Sequence, residues 1–201
     1  MGRGKPKRYR SIPEEVEIII IIEGPDGAGK STLVDQLSKE LGLEVGERAT
    51  KDRDKLYEVI RQDTYTALGE AVRAHDPARI WDRLFFSEMV YAPVVGRDCE
   101  FEHEEIIFVK RVLNAMGCPV IVCLPEWHTV KENVEGTHQM AGVEENLAHI
   151  YAAYGTVTSG MSWVIFYDYT DERKEAGFKS FDEVLTSCRH YLENHRAKRS
   201  W

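Results

Sequence analysis

The chain has 201 residues, of which 43% are hydrophobic and 30% charged, a composition typical of one soluble globular domain with a sizeable core. No apolar run reaches the ~18 residues that a membrane span needs, because Glu17 and Glu23 bracket the isoleucines between them. No apolar stretch follows the basic residues at the N-terminus, so we expect neither a secretory signal nor a membrane contact, and we predict a cytoplasmic protein.

Charge is unevenly distributed along the chain. The formal net charge is −8, yet the first ten residues carry five basic side chains and no acidic one, which leaves −13 for the remainder. We predict a basic arm at residues 1–13 ahead of a single domain at residues 14–201. Two interpretations of the arm stay open: a disordered, solvated tail, or a segment that contacts the phosphates of DNA.

A run of five isoleucines at residues 18–22 leads directly into a glycine-rich turn. Both faces of such a strand are apolar, which is typical of a central strand in a parallel sheet covered by helices on both sides. After the turn, Leu33, Leu37 and Leu41 recur at helical spacing and predict a helix over residues 30–41, with Gly42 as its stop.

The rest of the sequence continues this alternation of strands and helices. Further strands are predicted at residues 43–49, 78–83, 118–125 and 162–170. Further helices are predicted at residues 52–75, 101–116, 129–154 with a break around 136–142, and 181–195. The pattern predicts an α/β fold with a mostly parallel five-stranded sheet, helices on both faces, and a small lid at residues 129–154.

The turn after the first strand fits the phosphate-loop motif G-x-x-x-x-G-K-[ST]. Its glycines let backbone N–H groups wrap around a phosphate chain, and the following helix presents its positive N-terminus. Lys30 is expected to reach the β- and γ-phosphates of ATP, and the Ser31 hydroxyl to ligate Mg²⁺. The predicted donor-binding residues are Gly24, Asp26, Gly27, Ala28, Gly29, Lys30, Ser31 and Thr32.

Phosphate loops also occur in GTPases, motors and transporters. The chain lacks the N-K-x-D motif that reads guanine, which argues against a GTPase. Its small size, without a second ATP module, argues against a motor. A compact P-loop kinase is the class that fits best.

Two segments resemble thymidylate kinase and its phage-encoded deoxynucleotide kinase relatives. The segment IEGPDGAGKST (22–32) is similar to the opening of those enzymes, and DRLFFSEMVY (82–91) is similar to their second signature. The likeness covers roughly residues 16–35 and 78–95. It implies a P-loop nucleotide kinase that uses ATP and Mg²⁺, a deoxynucleotide substrate and, by analogy alone, a homodimer.

The Asp-Arg pair that ends the third predicted strand supplies further candidate catalytic residues beside Lys30. Arg83 is expected at the carboxyl edge of the sheet, where open α/β sheets bind ligands, and its planar guanidinium can grip an acceptor phosphate or the transferring phosphoryl group. Asp82 can hold Mg²⁺ through water. A structural ion pair between Asp82 and Arg83 is the alternative.

The resemblance implies additional roles in binding the acceptor. Asp26, inside the loop, would orient the acceptor, and Ser87 and Tyr91, one helical turn apart, would contact it. Core packing of Tyr91 and a helix cap at Ser87 are the alternatives. Glu88 occupies a position that contacts the base in some relatives, although a solvated acid is the interpretation we favour.

The chain departs from the thymidylate kinase pattern in its lid. Those enzymes supply an extra catalytic arginine from the phosphate loop or the lid, whereas residues 129–154 contain no arginine and only Lys131 and His138 as cations. The base-reading pair of the family has no clear match. Arg61, Tyr65 and Arg73 are the candidates for reading the base.

Three functions therefore compete. The first is phosphorylation of a deoxynucleoside monophosphate. The second is transfer to a hydroxyl, either of a deoxynucleoside or of hydroxymethyluracil in DNA, with Asp26 or Asp82 as general base. The third is a non-catalytic ATP-binding module. Tyr154, Trp163 and Tyr167 can line a nucleotide pocket, but core packing accounts for them better.

Overall fold

The structure of the chain is a computed structural model that describes residues 19–47, 56–72, 78–137, 139–159, 161 and 163–198. The predicted basic arm, Arg73 and His138 lie outside these residues, as do Ile18 and the first and last residues of the helix predicted at 52–75. None of the helices within the described ranges has the length and apolarity to cross a membrane.

Five strands form one sheet in the order β2-β3-β1-β4-β5, and every pairing between them is parallel. The strands are β1 (Ile19–Glu23), β2 (Glu44–Val45), β3 (Arg79–Asp82), β4 (Val120–Cys123) and β5 (Val164–Tyr167). The predicted parallel sheet is confirmed. All carboxyl ends of parallel strands meet at one edge, so the residues that follow β1, β3 and β4 are brought together there.

Seven α-helices connect and follow the strands in the described part of the chain. They are α1 (Lys30–Leu41), α2 (Leu56–Val72), α3 (Phe85–Val94), α4 (His103–Met116), α5 (Trp127–Val134), α6 (Val143–Val157) and α7 (Phe181–Lys198). A short 3₁₀ turn, Lys174–Ala176, lies between β5 and α7.

The isoleucines of β1 alternate between two cores, one on each face of the sheet. Ile19 and Ile21 pack in a cluster with residues of α2, α3, α4 and α6. Ile20 and Ile22 pack in a second cluster, chiefly with α1, α5 and α7. Since each buried isoleucine contributes ~1.5–3 kcal/mol of hydrophobic stabilisation, β1 is held firmly in the middle of the sheet.

Several predicted boundaries are confirmed and others shift for local reasons. Helices α1 and α4 end at Gly42 and Gly117, both left-handed at φ 64° and 63°. Helix α4 begins at His103 rather than Phe101, because the Glu105 carboxylate accepts the Glu102 N–H at 3.0 Å and closes a capping box.

Substitution by alanine is expected to have opposite effects on stability at two glycines outside the phosphate loop. A Cβ on Gly46, just after β2, would overlap the buried indole of Trp81, with Cδ2 2.5 Å away. A Cβ on Gly155, in the last turn of α6, would meet no atom within 4 Å. Gly46→Ala should therefore lower the free energy of unfolding by about 1–3 kcal/mol through overpacking. Gly155→Ala, the matched control, should raise it by up to ~1 kcal/mol. Urea denaturation measures both, and equal effects would contradict the packing around Trp81.

Candidate active site

The phosphate loop, residues 24–29, joins the end of β1 to the start of α1, and its backbone curves around a small region that we call the cradle. Gly27 and Gly29 have φ of 75° and 77°, a conformation that residues with a Cβ rarely adopt. The Lys30 Nζ donates to the Pro25 carbonyl oxygen at 2.5 Å, and the Ala28 N–H is directed at the same oxygen at 3.4 Å. An ammonium, a backbone amide and the N-terminus of α1 thus converge on one small region.

Lys30 is the first residue of α1 and is buried. Burial and, to a lesser extent, the charge of Arg83 lower its pKa from 10.5 to about 8, against the opposing charges of Asp26 and Asp82. The side chain is therefore still mainly charged at neutral pH and loses its proton as the pH rises through about 8. An anion in the cradle would stabilise the charged form.

Arg83 follows the last residue of β3 and has a left-handed backbone at φ 63°, which is uncommon for a residue with a side chain. Its N–H donates to the Ile22 oxygen at 2.8 Å, which continues the pairing between β1 and β3. The turn aims the guanidinium back across the end of the sheet. There the Nη2 atom donates to Asp26 Oδ1 of the phosphate loop at 2.5 Å. Arg83 pairs with Asp26, and so reaches the cradle from the neighbouring strand.

Side chains of α3 and α6 complete this cluster. Tyr91 donates its hydroxyl to Asp26 Oδ2 at 3.1 Å, and the Arg83 guanidinium carbon lies 5.0 Å from the centre of the Tyr91 ring. Arg83 Nη1 lies 3.4 Å from Ser87 Oγ and 3.3 Å from the Tyr154 hydroxyl. The structure thus brings together the sequence-predicted residues Asp26, Arg83, Ser87 and Tyr91. Their roles toward an acceptor stay predictions.

Glu23 is a member of the site that sequence reasoning missed as a functional residue. The fully buried carboxylate accepts the Leu84 N–H at 2.9 Å and the Ser87 hydroxyl at 2.6 Å. Burial raises its pKa, against the lowering effect of these two hydrogen bonds. Because Leu84 is the N-cap of α3, Glu23 anchors the residue directly after Arg83. The sequence signal that could have identified Glu23 is a charged side chain at the end of an otherwise apolar strand.

The two predicted magnesium ligands, Ser31 and Asp82, lie on elements that begin or end at the carboxyl edge of the sheet. Ser31 is exposed in the first turn of α1, and Asp82, at the end of β3, is near enough to Lys30 to raise its pKa. Within the described residues, no group of three or more His, Cys, Asp or Glu side chains could hold a metal alone. One carboxylate and one hydroxyl fit Mg²⁺, which takes most other ligands from water and substrate phosphates.

The structure corrects two interpretations of residues on α3. Glu88 is fully buried rather than solvated, and both of its oxygens accept Arg97 N–H groups, at 2.7 and 2.5 Å. A buried carboxylate needs such a partner, and the sequence pattern did not identify Arg97. Ser87 is not the helix cap, since α3 has Leu84 at that position.

The three aromatic residues considered for a nucleotide pocket belong to the hydrophobic cores, as the preferred alternative predicted. Tyr154 and Tyr167 are buried, and Trp163 packs on Phe86 with ring centroids 5.9 Å apart. Tyr154 has a second role, because its hydroxyl reaches Arg83 and Ser87.

The candidates for base reading lie in a separate cluster. Arg61 and Tyr65 of α2 both donate to Glu105 of α4, at 2.6 and 2.9 Å, on an exposed surface.

The lid-like segment consists of α5 and α6 with a break between them, as predicted, and Lys131 is exposed on α5. Arg173, in the turn after β5, brings a guanidinium to α6. It donates to the Tyr151 hydroxyl at 2.7 Å and to the Leu124 carbonyl oxygen at 3.2 Å.

Comparison with solved structures places this arrangement among known folds. The YorR protein of Bacillus subtilis, in complex with phosphorylated GDP, superposes with a TM-score of 0.59 at 21% identity, over 89% of this chain and 98% of YorR. Deoxyadenosine kinase from M. mycoides with bound dATP gives 0.56 at 15% identity, over 86% of this chain and 100% of that enzyme. Thymidylate kinase from Candida albicans gives 0.54 at 15% identity, over 91% and 94%.

No protein-family model and no curated protein sequence matches the chain significantly. The chain has the α/β P-loop kinase fold. At these identities the likeness concerns the fold, and the chemistry must be argued from the site.

The pKa of Lys30 predicts how nucleotide binding depends on pH. Since the charged ammonium attracts phosphates, affinity should be full below about pH 8 and fall as the pH rises through that value. Titration of a non-hydrolysable ATP analogue at pH 7 and pH 9 measures this. Lys30→Ala should bind weakly at both pH values. A wild-type affinity that does not change between them would contradict a proton-linked role for Lys30.

Proposed function

We propose that this chain transfers the γ-phosphoryl group of ATP to a nucleotide acceptor, with a deoxynucleoside monophosphate as the favoured substrate. The observation that carries the proposal is the position of Arg83. Its guanidinium, 2.5 Å from Asp26, reaches the phosphate loop from the end of β3, and its charge acts on the ammonium of Lys30. Two cations at the same edge of the sheet suit a reaction in which donor and acceptor both carry phosphate.

Most of the proposed catalysis is positioning and neutralisation of charge. Lys30 and the loop amides hold the donor phosphates, and Arg83 holds the acceptor phosphate or the transferring group. Asp26 and Tyr91, already hydrogen-bonded at 3.1 Å, orient the acceptor sugar. Mg²⁺, held by Ser31 and by Asp82 through water, supplies charge neutralisation on the donor phosphates when bound.

Three features pre-organise Arg83 for this role. Its side chain is only 11% exposed, which strengthens its electrostatic interactions. The Tyr91 ring and the hydroxyls of Ser87 and Tyr154 surround it. Glu23 holds the adjoining backbone at Leu84. The likeness to YorR with phosphorylated GDP and to a thymidylate kinase supports a nucleotide as acceptor.

A second candidate is transfer to a hydroxyl, of a deoxynucleoside or of a hydroxymethylpyrimidine in DNA. A specific observation favours it: Asp26 places a carboxylate between Arg83 and Tyr91, where it can accept a proton from an acceptor hydroxyl. The likeness to a deoxyadenosine kinase also supports this acceptor class.

One parallel screen separates these functions. Radiolabelled ATP with Mg²⁺ is incubated with the full chain and with deoxynucleoside monophosphates, deoxynucleosides, or DNA containing hydroxymethyluracil. We expect label in a deoxynucleoside diphosphate. Label in a monophosphate or in polymer would establish the second candidate instead, and ATP binding without any transfer would leave a non-catalytic module.

Arg83→Ala should lower the rate of transfer by about 10²–10³-fold, since it removes a charge that acts on the reacting phosphoryl group. Binding of the ATP analogue should change little, because Lys30 and the loop amides are retained. Arg189→Ala is the matched control, as this exposed arginine of α7 pairs only with the surface residue Glu40 among the contacts described. Equal losses of ATP binding and transfer in Arg83→Ala would contradict the assignment of Arg83 to the acceptor side.

Deletion of residues 1–10 tests whether the basic arm contacts DNA. If DNA is the acceptor, the deletion should weaken its phosphorylation and reduce the salt dependence of the reaction. Phosphorylation of a free mononucleotide should be unaffected. An unchanged salt dependence on DNA would show that the arm does not bind the polymer.

A further inference from the structure

Helix α5, the first part of the arginine-free lid-like segment, packs directly against the outside of the phosphate loop. A Cβ placed on Gly27 would lie 2.7 Å from Val134 Cγ2 and 2.8 Å from the Val130 carbonyl oxygen, closer than real side-chain contacts allow. Val130 and Val134 are both buried. Gly27 is therefore constrained by its neighbour as well as by its own positive φ.

Asn133, on the same helix, makes a polar contact with the loop at this point. Its Nδ2 atom donates to the Gly27 carbonyl oxygen at 2.8 Å and to the Tyr169 hydroxyl at 2.9 Å. A carbonyl oxygen can only accept, so the NH₂ end of the side-chain amide must face Gly27. Both hydrogens of Asn133 Nδ2 are thereby used.

Tyr169 joins the same contact from the turn after β5. A Cβ on Gly29 would lie 2.8 Å from Tyr169 Cε1, so the aromatic ring lies directly against the last glycine of the loop. Asn133 therefore connects three parts of the chain that are distant in sequence: the phosphate loop, α5, and the turn after β5.

The geometry of one peptide group links this outer contact to the inner face of the loop. The Gly27 C=O and the Ala28 N–H are opposite ends of a single planar trans peptide. Asn133 holds the outer end. The inner end, the Ala28 N–H, is directed at the Pro25 oxygen at 3.4 Å, the same oxygen that Lys30 reaches at 2.5 Å. Holding the carbonyl outward thus keeps the N–H aimed into the cradle.

We propose that Asn133 is a positioning residue for the phosphoryl donor, which fixes the Gly27–Ala28 peptide so that the Ala28 N–H faces the donor phosphates. This inference rests on the proposed ATP site. It gives the lid-like segment a way to act on the donor through a neutral amide and the loop backbone, without an arginine.

The test measures the affinity of the full chain for two Mg²⁺-bound probes by calorimetry: a non-hydrolysable ATP analogue and inorganic tripolyphosphate, which lacks the base and sugar. Asn133→Ala should weaken both by the same factor, about three- to tenfold, which is the usual effect of one hydrogen bond. Asn133→Asp, nearly identical in shape, should weaken both by about tenfold or more. The introduced carboxylate has no N–H to donate. It would be repelled by the Gly27 carbonyl oxygen and by the negatively charged phosphates of the probe.

Two further variants control for other effects. Tyr169→Phe keeps the bond between Asn133 and Gly27, and should change tripolyphosphate binding less than Asn133→Ala does. Glu132→Ala changes an exposed neighbour on α5 and should match the wild type. Thermal unfolding of each variant is recorded, and all midpoints should stay close to that of the wild type.

Each remaining outcome overturns the proposal in an identifiable way. Wild-type affinity in both Asn133 variants would show that the contact does not act on the donor. Loss with the ATP analogue alone would show that it acts on the base or sugar. A fall in the unfolding midpoint large enough to account for the lost affinity would assign Asn133 a structural role. If the wild-type chain binds neither probe, the proposed function fails, and this inference fails with it.

Discussion

Burial of β1 on both faces is the constraint on which the site depends. Alternate isoleucines enter the two cores, so the strand cannot leave the middle of the sheet without exposing apolar surface to water. Parallel pairing then aligns Ile22 with Asp82 and Glu23 with Val122. The phosphate loop, the Asp-Arg corner and the end of β4 consequently meet at one edge, where Lys30 and Arg83 come close enough for their charges to interact.

The site concentrates unfavourable features that only a rigid core can maintain. Arg83 has a left-handed backbone, Glu23 is a fully buried carboxylate, and Lys30 is a buried ammonium with a lowered pKa. Each is compensated by a specific contact: the Ile22 carbonyl, the Leu84 and Ser87 donors, and the Pro25 carbonyl respectively. These features lie in the proposed site, and the free energy that supports them comes from the two hydrophobic cores.

The region around the proposed donor site departs from the thymidylate kinase pattern that the sequence resembles. The lid-like segment offers the exposed Lys131 and the amide of Asn133 in its described part, and the nearby guanidinium of Arg173 comes from beyond β5. Arg173 stacks on Phe178 at 3.9 Å and donates to Tyr151 and Leu124, contacts that connect the turn after β5 to α6 and to the residue that follows β4. Contacts from α5 and from this turn meet at the phosphate loop, where Asn133 joins Gly27 and Tyr169.

The sequence by itself determined the features that depend on neighbouring residues. Hydrophobic periodicity predicted the parallel sheet and the approximate positions of most elements other than α3. The contiguous motif at residues 24–31 predicted the loop and the helix that follows it, because these are adjacent along the chain. The edge of a parallel sheet also placed Arg83 near the loop. The partners of Arg83 and of Glu23 were decided only by the tertiary structure, since Arg83 and Tyr154 lie 71 residues apart and Glu23 and Ser87 lie 64 apart. The same holds for the contact between Asn133 and Gly27, which lie 106 residues apart in the sequence. These contacts depend on how α3, α5 and α6 pack on the sheet. No local sequence pattern predicts which polar atoms of packed helices will be in contact.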